Sequence, residues 1–196
     1  MSIDSKSPAF AVFLKLGGKR VVVVGGGMMA LEKIPALLHA RAQVTVIAPE
    51  IRPEIQAMKG LTLHERPFEP SDLDGAWYAV AAAPPEVNRH VSEIAAQRQI
   101  FVNAVDDLRY ADAYLGGIVR KSGFTFAISS DGASPALTAL LRRGLERLIP
   151  DELGQWLKIG RSLRPGWKAD QIPFPDRRPL LLKAINDWHT EQETTS

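Results

Sequence analysis

The sequence predicts an α/β fold: a Rossmann-like doubly wound parallel sheet, then a small α+β region and a helical C-terminal part. Three observations predict it. Apolar β-branched runs alternate with helical patterns through about residue 106. A Gly25-Gly26-Gly27 turn separates the first such run from the first helix. Further on, two short runs flank Arg120-Lys121-Ser122-Gly123 as a hairpin would, and the remaining pattern is helical.

Each element follows from its residues. Residues 1–8 are polar, and 9–14 are an apolar stretch that reads as a short strand or an arm. Gly17-Gly18 makes a turn. Arg20–Val24 is a β-branched run suited to a strand buried on both faces. Residues 28–42 are helical, with Met29, Leu31, Ile34, Leu37 and Leu38 sharing an apolar face, although Pro35 removes one backbone bond. Residues 44–48 form a second buried strand, ended by Pro49-Glu50. This βαβ unit implies a right-handed crossover and parallel pairing. The alternation continues with a short helix over 53–59, strands over 61–64 and 77–82, a helix over 86–98 and a strand over 100–105. Residues 114–119 and 124–130 are the hairpin strands. Ser134 is a good N-cap and Pro135 a good first helical residue, so a helix runs to Leu148, where Pro150 stops it. Residues 151–162 read as a helix, 164–179 as a loop broken by Pro165, Pro173, Pro175 and Pro179, and 180–188 as a last helix before a polar tail. The parts are therefore 1–113, 114–150 and 151–196.

Composition narrows the chemistry. The 196 residues are 45% hydrophobic and 23% charged, ordinary values for a globular chain. A net charge of +2 does not suggest nucleic-acid binding. The absence of cysteine excludes disulfides, thiolate metal sites and cysteine nucleophiles. No apolar run reaches the roughly 18–20 residues of a membrane span, so a cytoplasmic protein without membrane contact is expected. His39, His64, His90 and His189 lack metal-ligand spacing, and no metal site is expected.

Four motifs stand out. Gly25-x-Gly27-x-x-Ala30 follows a strand and opens a helix. Its first glycine makes the tight turn, its second admits a pyrophosphate to the backbone, and the small third residue lets helix and strand pack closely. Glu50 stands just past the second strand, where an acid accepts hydrogen bonds from a ribose and repels a 2′-phosphate; a solvated carboxylate beside Arg52 is the plain alternative. Asp106-Asp107 ends a parallel strand, at the edge where open α/β sheets bind ligands. Either carboxylate suits a general base, and either suits simple capping of the loop. Residues 129–135 form a polar turn into a helix, read here as capping through Ser134. Arg142, Arg143 and Arg147 read as a solvated helix face, with recognition of substrate carboxylates as the competing role, and Trp156, Trp167 and Trp188 read as core of the small C-terminal part.

Taken together, VVVVGGGMMALEK (21–33), VTVIAPE (44–50), IFVNAVDD (100–107) and AISSDGASPALTALLRRGLE (127–146) resemble the precorrin-2 dehydrogenase / sirohydrochlorin ferrochelatase family, the N-terminal region of siroheme synthases. The resemblance covers roughly residues 10–150. It implies NAD-dependent oxidation of precorrin-2 to sirohydrochlorin in siroheme or cobalamin synthesis, with insertion of ferrous or cobalt ion in some members. The other readings are a chelatase alone, or an NAD- or tetrapyrrole-binding regulator on the same scaffold. By position, Asp106 matches the catalytic aspartate and Ser130 a serine of the tetrapyrrole site. Gly25, Gly26, Gly27, Met28, Met29 and Ala30 match the glycine turn and the residues after it that contact NAD. Pro49 and Glu50 match the contact after the second strand, and Ala81, Ala82 and Ala83 the strand-end loop lining the cofactor. A homodimer built through about 114–150 is also implied. A substrate rich in carboxylates suits Arg109 among the basic residues, with Arg120, Lys121, Arg142 and Arg143 as further candidates. The chain departs from the family pattern at Glu32-Lys33, Ala83-Pro84-Pro85, Gly116 and Asp131-Gly132. The prolines change a loop near the cofactor, and Asp131 places a negative charge beside the site of an anionic substrate.

Overall fold

The computed structural model describes residues 9–105 and 108–195. The chain divides into two compact units between Leu115 and Gly116.

The first unit is a parallel sheet of five strands: β1 (Arg20–Val24), β2 (Gln43–Ala48), β3 (Leu61–Glu65), β4 (Tyr78–Ala81) and β5 (Phe101–Ala104). Their spatial order is β3-β2-β1-β4-β5, so the winding reverses between β1 and β4. Helices α1 (Met28–His39) and α2 (Pro53–Gln56) cover one face, where Ala30, Ile34, Leu37 and Ile55 meet Val21, Val23, Val44 and Val46. Helix α3 (Pro85–Gln97) covers the other, where Val91 and Ala95 meet Val22, Val24, Ala79, Ala81 and Val102. Alternate residues of β1 thus enter opposite cores, which is why that strand is apolar without interruption. The free edge of β5 is covered by the chain that follows it. Asp112 and Ala113 both donate their backbone N–H to the Val102 carbonyl, at 2.9 and 3.0 Å, and Asn103 Nδ2 donates to the Ala113 carbonyl at 3.0 Å.

The second unit opens with the antiparallel hairpin β6 (Gly117–Lys121) and β7 (Phe124–Ile128). Ser122 and Gly123 form its two-residue turn, both at positive φ (53° and 85°), as the twist of a tight hairpin requires. Helix α4 (Pro135–Leu148) follows, then α5 (Leu153–Ala169) and α6 (Phe174–Thr195). The segments 114–150 and 151–196 fall almost wholly within this one unit.

One open alternative closes, and one expectation is corrected. Residues 9–14 are neither helix nor strand; they are an arm with Phe10 and Phe13 89% and 70% exposed. The loop expected over 164–179 is mostly helix, with Pro165 inside α5 and Pro179 inside α6. Pro175 sits in the first turn of α6, where its missing N–H has no intrahelical partner to lose. Pro165 and Pro179 each give up one backbone bond. Packing between the two helices compensates: Trp156 donates to His189 Nε2 at 3.3 Å, and the Trp156 ring meets the His189 ring edge-on. Trp156, Trp167 and Trp188 are half-buried.

Candidate active site

The glycine turn lies at the C-terminal edge of the sheet, where β1 meets its neighbours on both sides. Gly25 donates its N–H to the Ile47 carbonyl of β2 at 2.8 Å, and Ala82, just past β4, donates to the Val24 carbonyl at 2.8 Å. Gly25 has φ +120°, and a Cβ there would stand 2.1 Å from the Ala82 carbonyl oxygen. A Cβ on Gly26 would stand 2.2 Å from the Glu50 carbonyl oxygen and 2.8 Å from Ile51 Cα. Gly27 differs: it is exposed, and a Cβ there would meet nothing within 4 Å. Its side-chain direction opens on space at the start of α1, where the first backbone N–H groups of a helix have no partner within it. Ala30 is fully buried against the sheet. Gly25 and Gly26 are therefore required by the protein's own backbone, and Gly27 leaves room for a ligand. The demand at Gly26 comes from a chain segment distant in sequence, so the motif did not reveal it.

The chain after β2 closes one side of this turn. Pro49 and Glu50 are exposed, and Arg52 donates its backbone N–H to the Gly26 carbonyl at 3.0 Å. The Arg52 side chain makes two bonds to Glu54, 2.6 Å from Nη2 and 3.2 Å from Nε. That hydrogen bonding holds the Glu54 carboxyl below the usual carboxylate range. On the other side, Ala81 is buried in β4, while Ala82 and Ala83 are half-buried. Asn88, a buried residue of α3 not singled out by any motif, accepts the Ala83 N–H on Oδ1 at 2.9 Å and so fixes the loop. Pro84 is the N-cap of α3 and Pro85 its first residue, so the departure at these positions starts the helix one residue earlier than expected. Met28 is 50% exposed at the mouth of the turn, and Met29 is half-buried.

Asp106 and Asp107 lie outside the described residues. The chain on either side of them is anchored: Val105 donates its N–H to the Ala81 carbonyl at 2.9 Å, and Asp112 and Ala113 are tied to β5 as above. Arg109 stands between these anchors in a short turn (Leu108–Tyr110), exposed, with its guanidinium 5.8 Å from the Tyr110 ring centroid.

Ser130 belongs to the second unit. Its Oγ accepts the Ser134 N–H at 3.0 Å and lies 3.1 Å from the hydroxyl of Thr138, which is buried. Ser134 caps α4 as expected, accepting the Leu137 N–H at 3.4 Å. Thr138 is the residue that sequence reasoning missed here. Spacing of four from Ser134 places it one turn along the same helix face. Asp131 has φ +49°, the left-handed region that glycine enters without strain. Arg142, on α4, pairs with Glu146 at 3.2 Å, as a solvated helix face does.

A surface cavity of about 470 Å³ lies elsewhere on the first unit, bounded by Arg20, Gln43, Thr45, Thr62 and His64. It is polar and shares no residue with the glycine turn, so the turn is the better site on chemical grounds. Among the described residues no cluster of His, Asp or Glu is arranged to hold a metal ion. No helix among them is long and apolar enough to cross a membrane.

Residues 12–117 match the family described as NAD(P)-binding. The chain belongs to that NAD(P)-binding family. Residues 127–148 match a second description, the central region of sirohaem biosynthesis proteins. Siroheme synthase 1 of Aeromonas hydrophila is 41% identical over 170 residues, which is 85% of this chain and 36% of that protein. Siroheme synthase of Salmonella arizonae is 40% identical over 181 residues, 90% of this chain and 40% of that protein. The chain thus spans well under half the length of these relatives. The solved structure of SirC, a precorrin-2 dehydrogenase, superposes with a TM-score of 0.70 at 25% identity, covering 90% of this chain and 89% of that one. The family read from the motifs, the Rossmann-like fold and NAD as cofactor are borne out.

Proposed function

We propose that the chain oxidises precorrin-2 to sirohydrochlorin with NAD in siroheme or cobalamin synthesis. The observation that carries this is the glycine turn, whose Gly27 opens on space at the start of α1 in a chain that matches precorrin-2 dehydrogenase along nearly its full length. When bound, NAD supplies the hydride acceptor. The protein's part is to hold the dinucleotide, orient the tetrapyrrole and take the remaining proton. The backbone around Gly25–Ala30, with Met28 and Met29, holds the pyrophosphate end. Pro49 and Glu50 take the ribose, and Ala81–Ala83 line the cofactor. Loss of a hydride leaves a cation that must release a proton, and the Asp106 carboxylate is the base. Arg109 is the proposed contact for the substrate's carboxylates; within the second unit, Ser130 is the proposed polar contact.

The 114–150 segment is proposed as a homodimer interface. Among the described residues of the second unit few are buried: Val119, Thr138 and Ile149. Leu137, Leu140, Leu141 and Leu148 of α4 are 50%, 64%, 52% and 80% exposed, an apolar helix face that a second copy would cover. The 151–196 segment is proposed as the helical part that supports it, and the cytoplasm as its place of work.

The test is anaerobic incubation with precorrin-2 and NAD, following NADH and the tetrapyrrole spectrum, then addition of ferrous or cobalt ion. NADH formed in step with sirohydrochlorin is the expected result. Binding of NAD or tetrapyrrole without NADH would replace the dehydrogenase with a chelatase or a regulator, separated by whether metal insertion outruns the control without protein.

A further inference from the structure

Arg52 stands beside the proposed nucleotide site. Its backbone N–H is bonded to the Gly26 carbonyl, so its side chain starts from the wall of the glycine turn, on the side of the exposed Glu50. A guanidinium at this end of β2 is the group that receives a 2′-phosphate, because its fork of donors matches phosphate oxygens. Here the Nε–Nη2 face of that fork is engaged and its charge is already paired. Nε and Nη2 of Arg52 both bond to the Glu54 carboxylate, and the pair is closed within the first turn of α2.

We infer that Glu54 sets the dinucleotide preference of this site by occupying Arg52, the cation that would otherwise receive the 2′-phosphate of an NADP-type nucleotide. The inference rests on the proposed nucleotide site and adds a residue that the glycine motif and Glu50 do not include. Glu50 discriminates by repelling the 2′-phosphate. Glu54 discriminates by withdrawing its counter-charge. The ribose of NAD needs only acceptors, so it loses nothing when Arg52 is engaged. Arg52 and Glu54 are partly solvated, with side chains 40% and 51% exposed, so the pair is screened and the expected effect is moderate. A gain of about 3- to 10-fold in NADP affinity is the scale for freeing such a cation toward phosphate.

The experiment is calorimetric titration of the full chain with NAD⁺ and with NADP⁺, in the wild type, Glu54→Ala, Arg52→Ala and the double variant. The wild type is expected to bind NAD⁺ more tightly. Glu54→Ala is expected to tighten NADP⁺ by about 3- to 10-fold while leaving NAD⁺ unchanged, and the double variant to lose that gain. Unchanged NADP⁺ affinity in Glu54→Ala overturns the inference, as does an equal gain in the double variant, which would mean that only a negative charge had been removed. A wild type that binds both nucleotides equally also overturns it. A wild type that binds neither removes the nucleotide site itself, which separates that failure from this one.

Discussion

Gly26 and Gly27 are adjacent, yet replacing each with alanine is expected to break different things. At Gly26 the new Cβ would lie 2.2 Å from the Glu50 carbonyl oxygen and 2.8 Å from Ile51 Cα. Both contacts are backbone, so no side chain can swing away. Either the turn or the 50–51 segment must move by most of an ångström, and overpacking of this kind costs about 1–3 kcal/mol or somewhat more. At Gly27 the Cβ meets nothing within 4 Å and the backbone (φ −87°, ψ −165°) is open to any residue. Two small terms oppose each other there. Alanine is the poorer N-cap, and glycine has the more disordered unfolded state; each is worth roughly 1 kcal/mol or less, so the net change is near zero. The Gly27 Cβ nevertheless occupies the approach to the first N–H groups of α1. Urea unfolding and NAD titration of both variants make the check. Gly26→Ala is expected to lower the unfolding midpoint. Gly27→Ala is expected to keep it and to weaken NAD about 10-fold or more, the scale of one lost charge-assisted contact. A Gly27→Ala protein that binds NAD as the wild type does would refute the placement of the pyrophosphate.

Further outcomes follow from other residues. Asp106→Ala is expected to abolish turnover while NAD binding stays intact, read by NADH formation and by titration; wild-type turnover removes Asp106 from the mechanism. Thr138→Val deletes the hydroxyl beside Ser130 and is expected to raise KM for the tetrapyrrole about 3- to 10-fold with kcat little changed, and Thr138→Ser to restore it. Asp72 is buried, accepts two bonds from Arg66 at 2.6 and 2.8 Å and one from the Glu69 N–H at 2.8 Å, and the Arg66 bonds hold its carboxyl below the usual range. Because the folded value is the lower one, the stabilisation is complete above the unfolded carboxylate value near ~3.9 and fades as pH falls through the folded value. Asp72→Asn is therefore expected to cost about 1–3 kcal/mol at neutral pH, with the gap to the wild type closing in urea melts below about pH 4. Light scattering across a dilution series is expected to report a dimer, and Leu140→Glu to produce monomer; a monomeric wild type would overturn the proposed interface.

How legible these features were depended on how local their causes are. The β1 run, the Gly25–Ala30 turn and the Ser134-Pro135 helix start are written in consecutive residues, and they stand where expected. The long helices α5 and α6 were misread because proline is costly by local rules, whereas contacts between the helices, such as Trp156 with His189, offset the cost. The first hairpin strand starts at Gly117 and not at residue 114. At Gly116 a Cβ would come 2.0 Å from the Ile128 carbonyl oxygen, a close backbone approach that a sequence window does not contain. The site followed the same division. Glycines and strand-end residues were visible, while Asn88, Thr138 and the Arg52–Glu54 pair depend on which side chains the fold brings together.

The stretch from Val105 to Ala113 is closed at both ends, by Val105 on Ala81 and by Asp112 and Ala113 on Val102. The bonds of Asp112 and Ala113 to Val102 supply the outer edge of β5 with partners in place of a sixth strand. A fragment that stops at residue 111 would lose that clasp, leaving a bare strand edge able to pair with another chain, and it would turn the Arg109 loop into a loose tail. A fragment carried to Leu115 keeps the edge sealed and the entropy of closing the loop already spent. Solubility of the isolated nucleotide-binding half is thus decided over four residues that belong to no helix or strand.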